Sequence, residues 1–586
     1  MADVEFENKP RKNEKKQSRV KIIVLMVLLL VIIVVTLVLV FSLTKKENVE
    51  NGQFRKAAVA TDVPECSEMG SSILQGGGSA VDSAITSMLC VGLVHGQSSG
   101  IGGGSFWLIY DRKAKGTKFI NARETSPAAT TPDMFNSDPK TKVYGALAIG
   151  TPGELKGMWE AHQKYGKLSW KELFQPVIAL ARKGFRVTNH TVLTLNSLVA
   201  SGFVSDAWRD VYFKDNGTHP KEYGDIVIRS NFADTLQRIA NIGVSEFYTG
   251  HTADMIMQDM NTYNGTLSMA DLSNYSVKWS DVLTTSFMGY SVMSPSMPSG
   301  GPIYQFIINV MKGFDIDISS DADKVKFFHR FLETCKLAFG LRAYLGDVDT
   351  PEVNQVLNNL ASENYARKIR DTISDDMVSY ANASYYSTRH DDTNDKLGDT
   401  SHVSVLAANG DAVSVTTTVN WYFGCKIMSP TTGLIYNNEM ADFTIPNTED
   451  ENQPSNPANY PAPYKHPLSS MSGSILLDEN GDVKLVIGSS GGKKIITANA
   501  WVTLIALATN LSITDAIEIR RIHNQLFPNE GMYEAGFSTA VLERLEDLGQ
   551  VVREKSSFAV VQAILTDENG IDAYADSRKQ GKAVIY

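Results

Sequence analysis

The chain has 586 residues and a formal net charge of −10, a length that exceeds one average domain and allows a large buried core. The composition is that of a globular protein, and the acidic balance argues against nucleic acid as the main partner. No zinc-spaced Cys/His cluster, HExxH helix or EF-hand loop is present, so neither a metal nor a cofactor is expected.

From Ile22 to Leu43 there are 22 residues without a charge, long enough to span a bilayer. Lys9, Arg11, Lys12, Lys15, Lys16, Arg19 and Lys21 precede this run, and only Lys45 and Lys46 follow it before Glu47. The asymmetry predicts a cytoplasmic tail (1–21), a single-pass type II anchor in the plasma membrane (22–43), a stalk (44–56) and an exterior remainder. A cleaved signal peptide is the rival reading, but the apolar run is too long and no A-x-A site follows it. An exterior placement makes six sequons candidate glycan sites, at Asn189, Asn216, Asn264, Asn274, Asn382 and Asn510. It also favours a disulfide among Cys66, Cys90, Cys335 and Cys425, although spacing leaves all three connectivities open.

Residues 63–95 read as helical, with a break at Gln75–Gly78. SSGIGGGSFWLIY is a glycine loop feeding a strand of aromatic and β-branched residues. Residues 153–183 read as amphipathic helix. From 227 to 380 helical segments alternate with polar loops, and no repeat is visible. KLGDTSHVSVLAANGDAVSVTTTVN, residues 396–420, is a hairpin around Asn409-Gly410. A Pro/Asn-rich loop covers 446–463. SILLDENGDVKLVIGSSGG is a second hairpin, a helix is expected over about 495–509, and FAVVQAILTDENGIDAYADS is a third hairpin. Antiparallel strand pairs with helices between them predict an α+β or layered α/β/β/α fold.

Three stretches carry candidate chemistry. GSSGG at 488–492 follows a strand and precedes a helix, so it competes as a G-x-S-x-G elbow with Ser490 as nucleophile and Asp515 and His523 in the right order. No HGGG-type oxyanion loop accompanies it, and the strands pair by hairpins; the bland reading is a glycine-rich turn. A phosphate loop would need glycine at 487, which is Ile487. Thr400, at the open end of the first hairpin, needs a base. His402 is about 7 Å along the strand, poor geometry for one. Cutting the 399–400 bond would instead free the amine of Thr400 itself, whose reference pKa of about 7.7–8.0 suits general base work. With a three-residue turn Thr400 faces Thr418 or Asn420 across the hairpin; a two-residue turn puts those side chains on the other face. Arg123 is the kind of side chain that grips a carboxylate, and Glu439 and Asp442 the kind that hold an ammonium. Ser469-Ser470 and Gly491-Gly492 offer hydroxyls and N–H groups. Taken singly, each reads more simply as a surface ion pair, a solvated loop or a turn.

Taken together, GSAVDSAI, GIGGGSF, NARETSP, DTSHVSV, NWYFG, NNEMADF, PLSSM, GSSGG and ADSRKQG, in that order, make the chain beyond residue 55 resemble the γ-glutamyltranspeptidases, or glutathione hydrolases. The resemblance implies an N-terminal-nucleophile hydrolase: a four-layer αββα sandwich formed by one intertwined chain. It implies autocleavage between Asp399 and Thr400 into a large subunit (57–399 beyond the stalk) and a small one (400–586). Thr400 is then the nucleophile and Thr418 its orienting partner, with the Gly491 and Gly492 N–H groups holding the oxyanion. Arg123, Ser469 and Ser470 are expected to hold the glutamyl α-carboxylate, and Asn420, Glu439 and Asp442 the α-ammonium. The expected partners are glutathione, its S-conjugates and other γ-glutamyl compounds, with water, amino acids or dipeptides as acceptors. Cys66–Cys90 is the disulfide the resemblance implies. Three features depart from the family: Lys493-Lys494 after the paired glycines, no cysteine in DAWRDVYFK (206–214), and Asp399 before the nucleophile. The alternative expectation is a surface glycoprotein of this fold with impaired turnover, acting by binding.

Overall fold

Two antiparallel sheets stack face to face in the computed structural model, which describes residues 57–380, 382–390, 398–450 and 453–586. Their strands, in chain order, are β1 (Ala58–Thr61), β2 (Gly104–Asp111), β3 (Gly116–Ala122), β4 (Lys278–Asp281), β5 (Leu283–Phe287), β6 (Tyr290–Ser294), β7 (Ser401–Leu406), β8 (Ala412–Thr418), β9 (Ser474–Leu477), β10 (Val483–Ser490), β11 (Val560–Asp567), β12 (Gly570–Ala575) and β13 (Lys582–Ile585). The first sheet runs β13-β1-β7-β8-β2-β3-β4 and the second β12-β11-β10-β9-β6-β5.

Alternation along the strands builds the layers. Val403, Val405, Val413 and Val415 turn outward into a core shared with helices α1 (Pro64–Gln75), α2 (Ala80–Val94), α3 (Glu154–Tyr165), α4 (Trp170–Lys183) and α5 (Ser230–Ile242). Leu485, Ile487, Val561 and Ala563 turn into a second core with α6 (Gly301–Met311), α7 (Asp321–Arg342) and α8 (Lys494–Ala508). Helices therefore cover the outer face of each sheet, the expected αββα arrangement. The remaining faces meet across a polar seam. The Ser404 hydroxyl donates to the Gln562 carbonyl and that of Ser414 to the Ile487 carbonyl, each at 3.1 Å. Two hydroxyls of the first hairpin thus join the two sheets, that of Thr416 holds His402 within the hairpin, and that of Thr417 turns to Glu154 on the helix side.

That hairpin closes through a three-residue turn: Gly410 N–H donates to Ala407 O and Ala407 N–H to Asp411 O, both at 2.9 Å, with Gly410 at φ 85°. The register pairs Ser401 with Thr417 and Leu406 with Ala412, which sets Thr400 opposite Thr418.

Two expectations change. The single helix over 153–183 is two, because Gly166 ends α3 and a Ser169–Glu172 capping box starts α4. The segment read as helices and loops from 227 to 380 also contributes the edge strands β4 and β5 and, beside β5, β6; these strands are short and half exposed, so they lack an apolar run. Cys66 and Cys90 form a disulfide joining α1 to α2, while Cys335 and Cys425 are free and buried. All six sequon asparagines are exposed. The plasma-membrane localisation is corrected: among the described residues no helix is long and apolar enough to cross a membrane. The expected anchor, 22–43, lies outside the described residues.

Candidate active site

Thr400 lies directly before β7, in the middle of the first sheet. Its side chain shares a face with His402, the face turned to the second sheet. There the His402 ring packs so tightly on Gly488 that a Cβ would overlap it. β10 then runs on through Ser490 to Gly491 and Gly492 at the start of α8. Their φ angles of 125° and 62° favour glycine, and a Cβ on Gly491 would stand 2.8 Å from Ala559 Cα.

The groups on either side of the 399–400 peptide are closely hydrogen-bonded. The Thr418 hydroxyl donates to the Asp399 carbonyl (2.8 Å), accepts from Asn420 N–H (2.8 Å) and lies 3.4 Å from the Thr400 hydroxyl. Thr418 is held from behind by the glycine loop: a Cβ on Gly103 would run into the Thr418 carbonyl. Thr400 N–H donates to Asp399 Oδ1 (2.9 Å), and Lys579 Nζ donates to the Thr400 carbonyl (2.8 Å). Asp399 is buried, which raises its pKa. The Lys579 ammonium and then His190 outweigh burial and hold it far below the usual carboxylate range. His402 is not a base. It lies between Thr416 (2.9 Å) and Ser404 (3.1 Å), and burial pushes its pKa down to about 3.

Asn420 connects this hydroxyl pair to a buried charge cluster. Its backbone N–H binds Thr418, and its side-chain amide donates to Asp442 Oδ1 at 3.1 Å. Arg123, only 1% exposed at the end of β3, ion-pairs with Glu439 through Nη1 and with Asp442 through Nη2 (2.6 Å). It also donates to the carbonyls of Pro467 (3.0 Å) and Leu468 (3.3 Å), which fastens the PLSSM loop beside it. Ser470 Oγ accepts from Arg342 Nη2 at 3.1 Å. Arginine only donates, so the Ser470 proton is left to point elsewhere. Burial works against the Arg123 charge, but Glu439, Asp442 and Glu124 more than offset it. Burial pushes Glu439 up to about 7 despite Arg123.

The structure therefore gathers Arg123, Asn420, Glu439, Asp442 and the 467–471 loop into one cluster, and ties Thr400 and Thr418 to it. Sequence reasoning passed over Glu124, which is fully buried against Glu439; burial and then that neighbour's charge raise its pKa well above normal. It also passed over the partners of Asp399. The signals were Glu124 within NARETSP, Lys579 within ADSRKQG and Ser98 at the head of the SSGIGGGSFWLIY loop; no motif marked His190. The elbow triad is not assembled. Ser490 is buried within β10, His523 is engaged by Thr497 (2.7 Å) and Gln525 (3.1 Å), and Asp515 caps a helix with Ser512.

Stacked antiparallel sheets between helix layers, with a hydroxyl nucleophile candidate at the head of a central strand, define the N-terminal-nucleophile hydrolase class. Cephalosporin acylase from Bacillus halodurans shares this fold, with a TM-score of 0.77 at 21% identity over 91% of this chain and 96% of that one. The family model for gamma-glutamyltranspeptidase matches residues 66–586. Scoloptoxin SSD14 of Scolopendra dehaani is 38% identical over 90% of this chain and 92% of its own length. Glutathione hydrolase 5 proenzyme of Mus musculus is 36% identical over 91% of this chain and 93% of its own. The chain belongs to the γ-glutamyltranspeptidase family. It is a γ-glutamyl hydrolase and transferase, with glutathione-type γ-glutamyl compounds as its substrate class.

Proposed function

We propose that the chain cuts itself between Asp399 and Thr400 and then uses Thr400 to open the γ-glutamyl amide of glutathione and its S-conjugates. The observation that carries this reading is the Thr418 hydroxyl bonded to the Asp399 carbonyl while facing the Thr400 hydroxyl. Donation by Thr418 polarises the carbonyl that Thr400 Oγ1 attacks. The C–N bond breaks as the hydroxyl proton passes to nitrogen, leaving an ester that water hydrolyses. The products are the large subunit ending at Asp399 and the small one, 400–586, beginning with a free amine. That amine is the general base the Thr400 hydroxyl otherwise lacks.

In the mature enzyme the glutamyl α-carboxylate takes Arg123, with the Ser469 and Ser470 hydroxyls. The α-ammonium takes Glu439, Asp442 and the Asn420 side-chain oxygen. A zwitterion suits this cluster because it brings one charge of each sign to an ion-paired site, so no net charge is buried. Thr400 Oγ1 attacks the γ-carbonyl, Gly491 and Gly492 N–H groups receive the oxyanion, and the leaving amine takes the proton. Water, an amino acid or a dipeptide then accepts the glutamyl group from Thr400.

The test is N-terminal sequencing of the purified protein after denaturing electrophoresis. A small fragment beginning Thr-Ser-His-Val is expected, and Thr400→Ala is expected to remain a single chain without γ-glutamyl anilide turnover. A folded wild-type chain that stays whole yet turns over the anilide would overturn the reading.

A further inference from the structure

The Asp399 carboxylate sits in a fuller set of contacts than a residue serving only as a cleavage-site neighbour needs. Oδ1 accepts from Thr400 N–H (2.9 Å) and Lys579 Nζ (3.0 Å); Oδ2 accepts from the Ser98 hydroxyl and faces His190 Nε2 at 2.7 Å. Both torsions of the side chain are therefore fixed. Lys579 is held in turn by Asp62 (2.9 Å) and Ser98 (3.1 Å), and it grips the Thr400 carbonyl. The two groups thus hold the backbone of Thr400 at both its N–H and its C=O. Only the Thr400 side-chain torsion is left for Thr418 to set.

We propose that the Asp399 side chain is a positioning residue for scission of its own peptide bond, clamped for that task by Lys579, Ser98 and His190. The inference rests on the self-cleavage reading above. Its contribution has two parts. The clamp turns the 399 carbonyl towards the Thr400 hydroxyl, so the attack starts from one conformer and not from many. The carboxylate also faces the nitrogen that gains the proton as the C–N bond breaks and the Oγ1–C bond forms. Negative charge there favours the developing ammonium. Asp399 neither forms nor breaks a bond through its side chain, and Thr400 Oγ1 remains the nucleophile.

The test follows conversion of freshly made full-length precursor to its two fragments over time, on gels, with Thr400→Ala as the uncut reference. Asp399→Leu removes the acceptor but leaves Lys579 paired with Asp62; cleavage is expected to slow by about 10-fold or more, the worth of a hydrogen bond to a charged group. His190 is partly exposed, so its variants serve should Asp399→Leu misfold. His190→Leu is expected to slow cleavage several-fold, and His190→Gln, which keeps a donor, to restore it. Melting temperatures of the uncut chains report folding separately. Asp399→Leu cut at the wild-type rate, or Leu and Gln at 190 behaving alike, would overturn the clamp while leaving self-cleavage standing. A wild-type chain that stays whole would overturn both.

Discussion

At the residue scale the site is governed by buried charge. Arg123 faces two carboxylates, and its charge reaches Glu124 as well but does not outweigh burial and the Glu439 charge there. Burial and then the neighbouring Glu439 charge raise Glu124 well above the ordinary carboxylate range, and burial raises Glu439 to about 7. In the proposed binding mode the ionised Glu439 receives the substrate ammonium. Donor binding should then improve as pH rises through about 7. Replacing Glu124 with Gln removes the like charge, and the acid limb of the kcat/KM profile is expected to move to lower pH. A profile that does not move would show that Glu124 leaves Glu439 unperturbed. In the same proposed mode the Ser470 hydroxyl, whose oxygen accepts from Arg342, donates to the substrate carboxylate.

At the element scale, placement follows from close packing of backbone on backbone. The GIGGGSF loop lets Gly103 meet the Thr418 carbonyl, and the β8 alternation that points Thr418 at Thr400 points Thr417 the other way. There the Thr417 hydroxyl donates to Glu154, the first residue of α3. Burial raises the Glu154 pKa from 4.5 to about 8. The sign follows from the raised folded value: its stabilising contribution is full below about 4.5 and is lost as pH rises through about 8. Glu154→Gln cannot titrate, so the drop in melting temperature between pH 5 and pH 9 is expected to be smaller than in wild type. Equal drops would place the Glu154 pKa in the ordinary range. The reading of 153–183 as one helix failed at this scale. Gly166 and the Ser169–Glu172 box lie inside a continuous amphipathic pattern, and periodicity alone does not register a cap.

At the scale of the whole molecule, the described residues from 57 onward belong to one compact unit, and the strand order interleaves the two sides of the 399–400 bond. In the first sheet β7 and β8 lie between β1 and β2, and β13 adds to the edge beyond β1; in the second, β5 and β6 complete a sheet begun by β9–β12. Cleavage is thus expected to yield fragments that co-elute on size exclusion and separate only in denaturant. Fragments that part in native buffer would contradict this topology. The sequence by itself determined the hairpins, the layered class, the family motifs and the residues that carry them, because local periodicity, turn residues and motif spacing are written along the chain. It did not determine β4, β5 and β6, whose short half-exposed pattern becomes strand only by pairing with a sheet already formed. The fourfold grip on Asp399 was also beyond it. Ser98, His190 and Lys579 are hundreds of residues apart in part, and only the stacking of α2, the 189–201 helix and the final strands brings their charges and donors to one buried point. There low polarity makes those contacts strong.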